Sequence, residues 1–212
     1  MGLKIFHLIL FITFSSCSSS SQSKKINQHT ASNKYTKTKS LKPHNENSFV
    51  DSILVYTDTS NLNVVIENSL PKGGLKYSDT DGIEYIYAVF WTRITNRTDN
   101  TFSYTIEYPT DAFHLTQSPE KQFKLLIAPD TLVYGHEALF NYGLELDSFL
   151  AKSLGKATTL SMELDPGENI GFYIVTLFNE GVDGVLRTGL QIKDNRLLYR
   201  VNGEEFPCGI IH

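Results

Sequence analysis

Apolar residues at every second position are the feature that most restricts what this chain can fold into. One run is apolar at four alternate positions, separated by polar residues: Phe102, Tyr104, Ile106 and Tyr108. Successive side chains of a strand point to opposite faces, so these four lie on one face of an extended backbone. The run therefore predicts a half-buried β-strand.

Further strands are predicted where apolar runs end in turn residues. Ile83–Ile94 is apolar on both faces, which is typical of a central strand. The turn residues of Asn96–Asn100 then predict a hairpin between this strand and the strand that begins at Phe102. Later runs of the same kind are Phe123–Ile127, Leu160–Leu164, Ile170–Phe178, Val185–Ile192, Leu197–Val201 and Phe206–Ile211.

One segment, Leu146–Leu154, follows the helical period instead. Its apolar residues fall on one side of a helix that Asp147 or Ser148 would cap and Gly155 would end. Together these patterns predict an all-β domain over residues 49–212, an immunoglobulin-like β-sandwich of about eight or nine strands with one short helix.

The N-terminus carries an export signal. Lys4 precedes an apolar run, Ile5–Phe14, which is well short of the roughly 20 apolar residues of a membrane span. Phe14-Ser15-Ser16-Cys17 resembles the lipobox of bacterial lipoproteins, although that motif usually has Leu where this chain has Phe14. The resemblance implies a signal peptide over residues 1–16 and a lipidated, palmitate-bearing Cys17. The alternative is an ordinary signal peptide with an incidental cysteine.

Residues 17–48 are polar and basic, and their composition predicts a disordered tether. All 23 acidic residues lie from Glu46 onward, whereas seven of the 19 basic residues precede it. Six lysines of the tether suit anionic lipid head groups, or they simply keep the tether soluble. The acidic domain argues against nucleic acid as a partner.

The lipobox, together with Trp91–Asn96 and Thr176–Val182, is similar to uncharacterised lipoproteins of flavobacteria and other Bacteroidetes. Leu164–Glu168 and the strand after it resemble a corner of immunoglobulin-like or fibronectin-like sandwiches. Surface-display signals of Bacteroidetes resemble an acidic cluster just after the lipidated cysteine, and Ser18–Gln22 has none. The resemblance implies an outer-membrane lipoprotein that faces the periplasm, without assigning an activity.

No catalytic motif emerges from the sequence. The domain histidines are His114, His136 and His212, and none has a partner at a ligand-like spacing. Cys208 lies in an apolar segment, which favours a buried thiol over an intermolecular disulfide or a metal pair with His212. We therefore expect a protein that is not an enzyme and needs no cofactor.

Two short motifs each have two interpretations. Asp79, Asp81 and Glu84 surround Gly82 with carboxylates, as in a calcium loop, but Asp-Gly between two strands is the usual signature of a hairpin turn. We favour the turn. Asp51-Ser52-Ile53 resembles the O-glycosylation acceptor motif of Bacteroidetes, which implies a glycan on Ser52 or else a chance match.

Three functions are compatible with these features. We favour a non-enzymatic binding or scaffolding module of the cell envelope, with an envelope protein or glycan as partner. A tethered sandwich without catalytic groups can still bind a partner through its surface. The alternatives are a carbohydrate-active or hydrolytic envelope protein and a calcium-stabilised, adhesion-like domain.

The lipid anchor depends on one sulfur atom. Cys17→Ala should abolish both fatty-acid labelling and removal of the signal peptide, because the thioether forms on that thiol. Metabolic labelling with an alkyne fatty acid, followed by fractionation, measures both effects. Recovery of unmodified wild-type protein in the soluble fraction would contradict the interpretation.

Overall fold

The structure is a computed structural model that describes residues 49–57, 62–182 and 184–212. The predicted signal peptide, the tether and Cys17 lie outside the described residues. The described strands are β1 (Val50–Thr57), β2 (Asn63–Ser69), β3 (Lys72–Ser78), β4 (Glu84–Asn96), β5 (Phe102–Tyr108), β6 (Phe113–Leu115), β7 (Ser118–Thr131), β8 (Thr158–Leu164), β9 (Asn169–Phe178), β10 (Thr188–Lys193), β11 (Arg196–Val201) and β12 (Glu204–Ile211). Among these residues one α-helix, α1, spans Leu146–Ser153, and a short 3-10 segment at Phe140–Gly143 precedes it.

The strands form two antiparallel sheets. Sheet A has seven strands in the order β1-β2-β4-β9-β7-β6, with β3 also paired to β4, and sheet B has five in the order β10-β11-β12-β5-β8. The prediction of an all-β sandwich with one short helix is confirmed. The described residues hold twelve strands, more than the eight or nine expected. The additional strands are short or lack clear alternation, as in Lys72-Gly73-Gly74 at the start of β3.

The predicted hairpin between β4 and β5 is wrong, because the two strands belong to different sheets. The intervening residues form a corner around the buried side chain of Asn96. Its Nδ2 donates to the carbonyls of Asn100 and Leu164, both at 2.8 Å, and its Oδ1 accepts from Thr98. Turn residues thus mark a change of direction without telling which sheet the next strand joins.

Sheet A is buried on both faces. Its inner face packs against sheet B through residues such as Phe90 and Phe172, and its outer face packs Trp91 and Tyr173 beneath α1 and the segment before it. All ten residues of β9 are buried as a result. This double burial explains why β4 and β9 are apolar at consecutive positions rather than alternate ones.

The outer layer is held close to sheet A by a glycine. A Cβ at Gly171 would lie 2.5 Å from the Cβ of Leu132, so only glycine admits Leu132 at this position. Helix α1 buries Leu146 and Leu150 in the same layer. The predicted helix is confirmed, but its predicted cap is wrong: the N-cap residue is Glu145, without a side-chain capping bond, and Asp147 lies inside the first turn.

Asn68 joins the two sheets where β2 faces the edge strand β10. Its Nδ2 donates to the Leu190 carbonyl at 3.0 Å, and its Oδ1 accepts from the Leu190 N–H at 2.9 Å and from the Thr92 hydroxyl at 3.0 Å. A Cβ at Gly189 would lie 2.8 Å from the Asn68 amide. The amide thus takes the place of a neighbouring strand for the main chain of β10.

Strand β1 adds two links on the same side of the sandwich. Asp51 forms an ion pair with Arg187, just before β10, and the Tyr56 hydroxyl donates to Asn195 Oδ1 at 2.6 Å, in the turn that follows β10. Each end of β1 is therefore attached to sheet B as well as to β2.

Removing the Asn68 amide should destabilise the domain strongly. We expect Asn68→Ala to lower the free energy of unfolding by about 3 kcal/mol, because two buried main-chain groups of Leu190 lose their partner. Urea unfolding measures the change. Gln117→Ala, at an exposed position, is the control and should change stability by less than about 0.5 kcal/mol. Equal stability of the two variants would contradict this role for Asn68.

Candidate functional site

A cavity of about 350 Å³ lies on the outer side of sheet A, where the β3–β4 hairpin meets the end of α1. We call it the hairpin pocket. The hairpin contributes polar and aromatic side chains, β7 contributes one lysine, and α1 contributes apolar side chains. The principal lining residues are Tyr77, Asp79, Asp81, Ile83, Tyr85, Lys124, Leu150 and Leu154.

Two tyrosines form the aromatic part of the hairpin pocket. Tyr77 and Tyr85 are directly opposite each other in the β3–β4 ladder, so their side chains lie on the same face of sheet A. Both rings are partly buried against the outer core that includes Leu150. The packing fixes the rings and leaves part of each accessible to a ligand.

Asp79 shapes the turn between these strands. Its Oδ1 accepts the main-chain N–H groups of Asp81 at 3.0 Å and Ile83 at 2.8 Å, and its own N–H donates to the Ile83 carbonyl at 3.0 Å. Gly82 has a φ of 80°, which suits glycine. The interpretation of this segment as a hairpin turn is confirmed.

The carboxylates change the acidity of the tyrosines. Burial, followed by the nearby negative charge of Asp79, raises the pKa of both Tyr77 and Tyr85 above the usual value. Asp81 raises the pKa of Tyr85 further, as does a hydrogen bond to Asp79. Both phenols are therefore neutral hydroxyls at physiological pH, and the pocket offers hydroxyl groups, carboxylate acceptors and the Lys124 ammonium group.

The structure brings two of the three predicted carboxylates to the hairpin pocket. Asp79 and Asp81 line it, whereas Glu84 lies outside and pairs with Lys76, with 2.9 Å between Oε2 and Nζ. Over the ranges that the structure describes, no group of three or more His, Cys, Asp or Glu side chains is arranged to hold a metal ion. Asp79 and Asp81 thus present carboxylate oxygens to the pocket as hydrogen-bond acceptors.

The domain histidines lie away from the hairpin pocket. His114 Nδ1 is 3.0 Å from the Pro119 carbonyl, and His212 Nε2 is 3.0 Å from the Thr105 hydroxyl. His136 is half-buried in the loop before α1. Ser52 is half-buried in β1, where its hydroxyl accepts from Asn68 Nδ2 at 3.3 Å, and its glycosylation stays a prediction.

A second polar cluster, which the sequence patterns did not predict, lies on the outer face of sheet A. Arg93 forms an ion pair with Glu67, the residue opposite it in the β2–β4 ladder, and both side chains are nearly buried. The Arg93 guanidinium lies 5.5 Å from the centre of the Tyr134 ring and donates to its hydroxyl at 3.2 Å. The Arg93 guanidinium thus bonds to both Glu67 and Tyr134, and the cluster links the loop before α1 to sheet A.

Cys208 is a buried core residue, as predicted. It packs between the sheets beside Tyr108. Burial raises the pKa of its thiol to about 12, although the neighbouring Tyr108 hydroxyl opposes this shift. A thiol with this pKa is almost wholly protonated at neutral pH and is a poor nucleophile.

No family model matches the chain, and no curated protein or solved structure is significantly similar to it. Among the described residues, no helix is both long and apolar enough to cross a membrane. The resemblance to flavobacterial lipoproteins therefore stays a prediction.

The buried thiol leads to a test of reactivity. In a Cys17→Ser background, Cys208 should react with dithiodipyridine only after unfolding, because burial keeps the thiol neutral and inaccessible. Above its ordinary pKa of 9.0 the thiol ionises in the unfolded chain but not in the folded one. The stability of the fold is therefore unaffected by this group below pH 9.0 and falls as the pH rises toward about 12. Absorbance in native buffer and in urea measures reactivity. Equal rates in the two solvents would contradict the assignment.

Proposed function

We propose that this protein is a lipid-anchored, non-enzymatic binding module of the outer membrane, facing the periplasm, and that the hairpin pocket is its ligand site. The observation that carries the proposal is the pairing of Tyr77 and Tyr85 with carboxylates and a lysine around a cavity of about 350 Å³. Ligand sites in proteins commonly combine apolar walls with a few polar groups in this way.

The chemistry of the pocket fits a hydroxyl-rich ligand, and we assign it a neutral saccharide of the cell envelope. The apolar faces of a sugar ring pack on the tyrosine rings, while sugar hydroxyls donate to Asp81 and accept from Lys124. Leu154, which follows α1 and is only partly buried, contacts the carbon face of a ring. Donors and acceptors are thus both present beside an aromatic surface.

Binding is favoured over hydrolysis because of where the carboxylates lie. Asp79 and Asp81 belong to the same turn, and Asp79 Oδ1 already accepts two main-chain N–H groups. Glycosidases place their two carboxyl groups on opposite sides of the scissile bond, roughly 5–9 Å apart. Two carboxylates of one short turn do not supply that arrangement.

The lipid anchor is supported by the sequence. The lipobox-like segment ending at Cys17 and the polar residues up to Ser48 provide an attachment and a spacer, and a tethered module needs no further membrane segment. A module that only binds also needs no cofactor.

Removing one tyrosine ring should weaken ligand binding. We expect Tyr85→Ala to lower the affinity for a saccharide roughly tenfold, because the ring supplies apolar contact as well as a hydroxyl group. A glycan array of neutral and acidic oligosaccharides identifies the strongest ligand, and titration calorimetry then measures its affinity for each variant.

Two controls separate binding from folding. Tyr85→Phe keeps the ring and should lose less affinity than Tyr85→Ala, while Tyr56→Phe, on β1, should bind as the wild type does. Absence of any ligand on the array would contradict the proposal. Hydrolysis of the bound oligosaccharide, lost in Asp79→Asn or Asp81→Asn, would instead favour the carbohydrate-active alternative.

A further inference from the structure

The loop before α1 exposes a group of apolar side chains to solvent. Val133, Tyr134 and Leu139 are each 46% exposed, and Phe140 is 66% exposed. We call these four residues the loop face. Single exposed apolar residues are common on proteins, but four within one short loop, two of them aromatic, are typical of an interaction surface.

The exposure of Phe140 is built into the backbone. The next three residues, Asn141, Tyr142 and Gly143, have φ values of 46°, 57° and 76°, a left-handed run that costs free energy at the two non-glycine positions. Two hydrogen bonds hold this conformation: Asn141 Nδ2 donates to the Tyr87 hydroxyl at 2.9 Å, and the Tyr142 hydroxyl donates to the Leu70 carbonyl at 2.5 Å. The turn directs Asn141 and Tyr142 inward and leaves Phe140 outside.

The N-terminal segment joins the domain beside the loop face. The Leu70 N–H donates to the carbonyl of Phe49, the first described residue, at 2.8 Å. Lys72 Nζ lies 4.9 Å from the centre of the Phe49 ring and donates to the Leu139 carbonyl at 2.7 Å. The same short stretch of chain, residues 70–72, therefore contacts both Phe49 and the loop that carries Phe140.

The charges around the loop face suit a bilayer surface. Lys72 lies beside Leu139, and the chain that leads into Phe49 carries six lysines after Cys17. Within the loop, Glu137 is buried and accepts the Gly135 N–H at 2.7 Å, so it is not displayed at the surface, whereas the exposed Glu145 lies five residues after Phe140, next to the start of α1. Apolar and aromatic side chains next to basic ones are the combination that binds lipid interfaces.

We propose that the loop face lies on the bilayer that carries the lipid anchor, with Phe140 and Leu139 among the lipid head groups and the upper part of the acyl chains. This inference rests on the anchored state in the proposed function, because the anchor joins the domain through Phe49. The contact gives the domain a fixed orientation at the membrane.

The test supplies the anchor chemically, so its outcome does not depend on lipidation in the cell. The chain from Cys17 onward is coupled through Cys17 to a maleimide lipid, and Cys208 stays unreacted because it is buried. The vesicles contain phosphatidylethanolamine and phosphatidylglycerol with brominated acyl chains, which quench tryptophan on contact. The variants are Phe140→Trp, Leu139→Trp and, as the matched control, Ile210→Trp at another exposed apolar position on β12.

We expect quenching of Phe140→Trp and Leu139→Trp to exceed that of Ile210→Trp several-fold. The native Trp91 is only 1% exposed and should add little to any of them. Equal quenching at positions 140 and 210 would overturn the inference while leaving the lipid anchor intact. The absence of an acyl mass on Cys17 in protein from cells would refute the anchor alone, because the coupled protein still reports on the loop face.

A second copy of the chain is the competing occupant. Sedimentation of the uncoupled chain should show a monomer for both the wild type and Phe140→Ser. A wild-type dimer that Phe140→Ser dissociates would assign the loop face to self-association and overturn the membrane contact.

Discussion

The burial of sheet A on both faces is the constraint on which the rest of the structure depends. A sandwich of two sheets covers only the inner face, and strands β4 and β9 are apolar at consecutive positions, so a third layer has to cover Trp91 and Tyr173. The loop before α1 and the helix itself form that layer. The hairpin pocket lies where this layer ends, after α1, and the loop face is the exposed side of its loop, so the surfaces we assign to ligand and membrane follow from how the core is completed.

The edges of the sheets are stabilised by side chains rather than by closure into a barrel. At the edge strand β10, the Asn68 side chain satisfies both main-chain groups of Leu190. Edge strands invite pairing with other chains unless their free groups are covered. A buried amide at such a position therefore opposes aggregation as well as unfolding.

Local patterns predicted much of this fold. Period-two alternation identified β5 and β8, and helical spacing identified α1, because those signals are local. The β4–β5 hairpin failed because turn residues do not specify the next sheet, and β3 was missed because Gly73 and Gly74 interrupt its alternation. In the hairpin pocket, the sequence predicted Asp79 and Asp81. Tyr77 and Tyr85 each lie four residues from Asp81, a spacing that places them opposite each other once the segment is a hairpin. Lys124 comes from a distant strand, and only tertiary structure places it there.

The attachment of the N-terminal segment to β1 has a mechanical consequence. In the proposed anchored state, a pulling force between the membrane and the domain enters at Phe49 and reaches β1 first, an edge strand that pairs with β2 alone among the described strands. The Asp51–Arg187 ion pair and the Tyr56–Asn195 hydrogen bond share that load with sheet B, at the two ends of the strand. Tension is thus divided between the two sheets before it reaches β4 or β9, and the strands that form the core and the hairpin pocket are shielded while β1 holds.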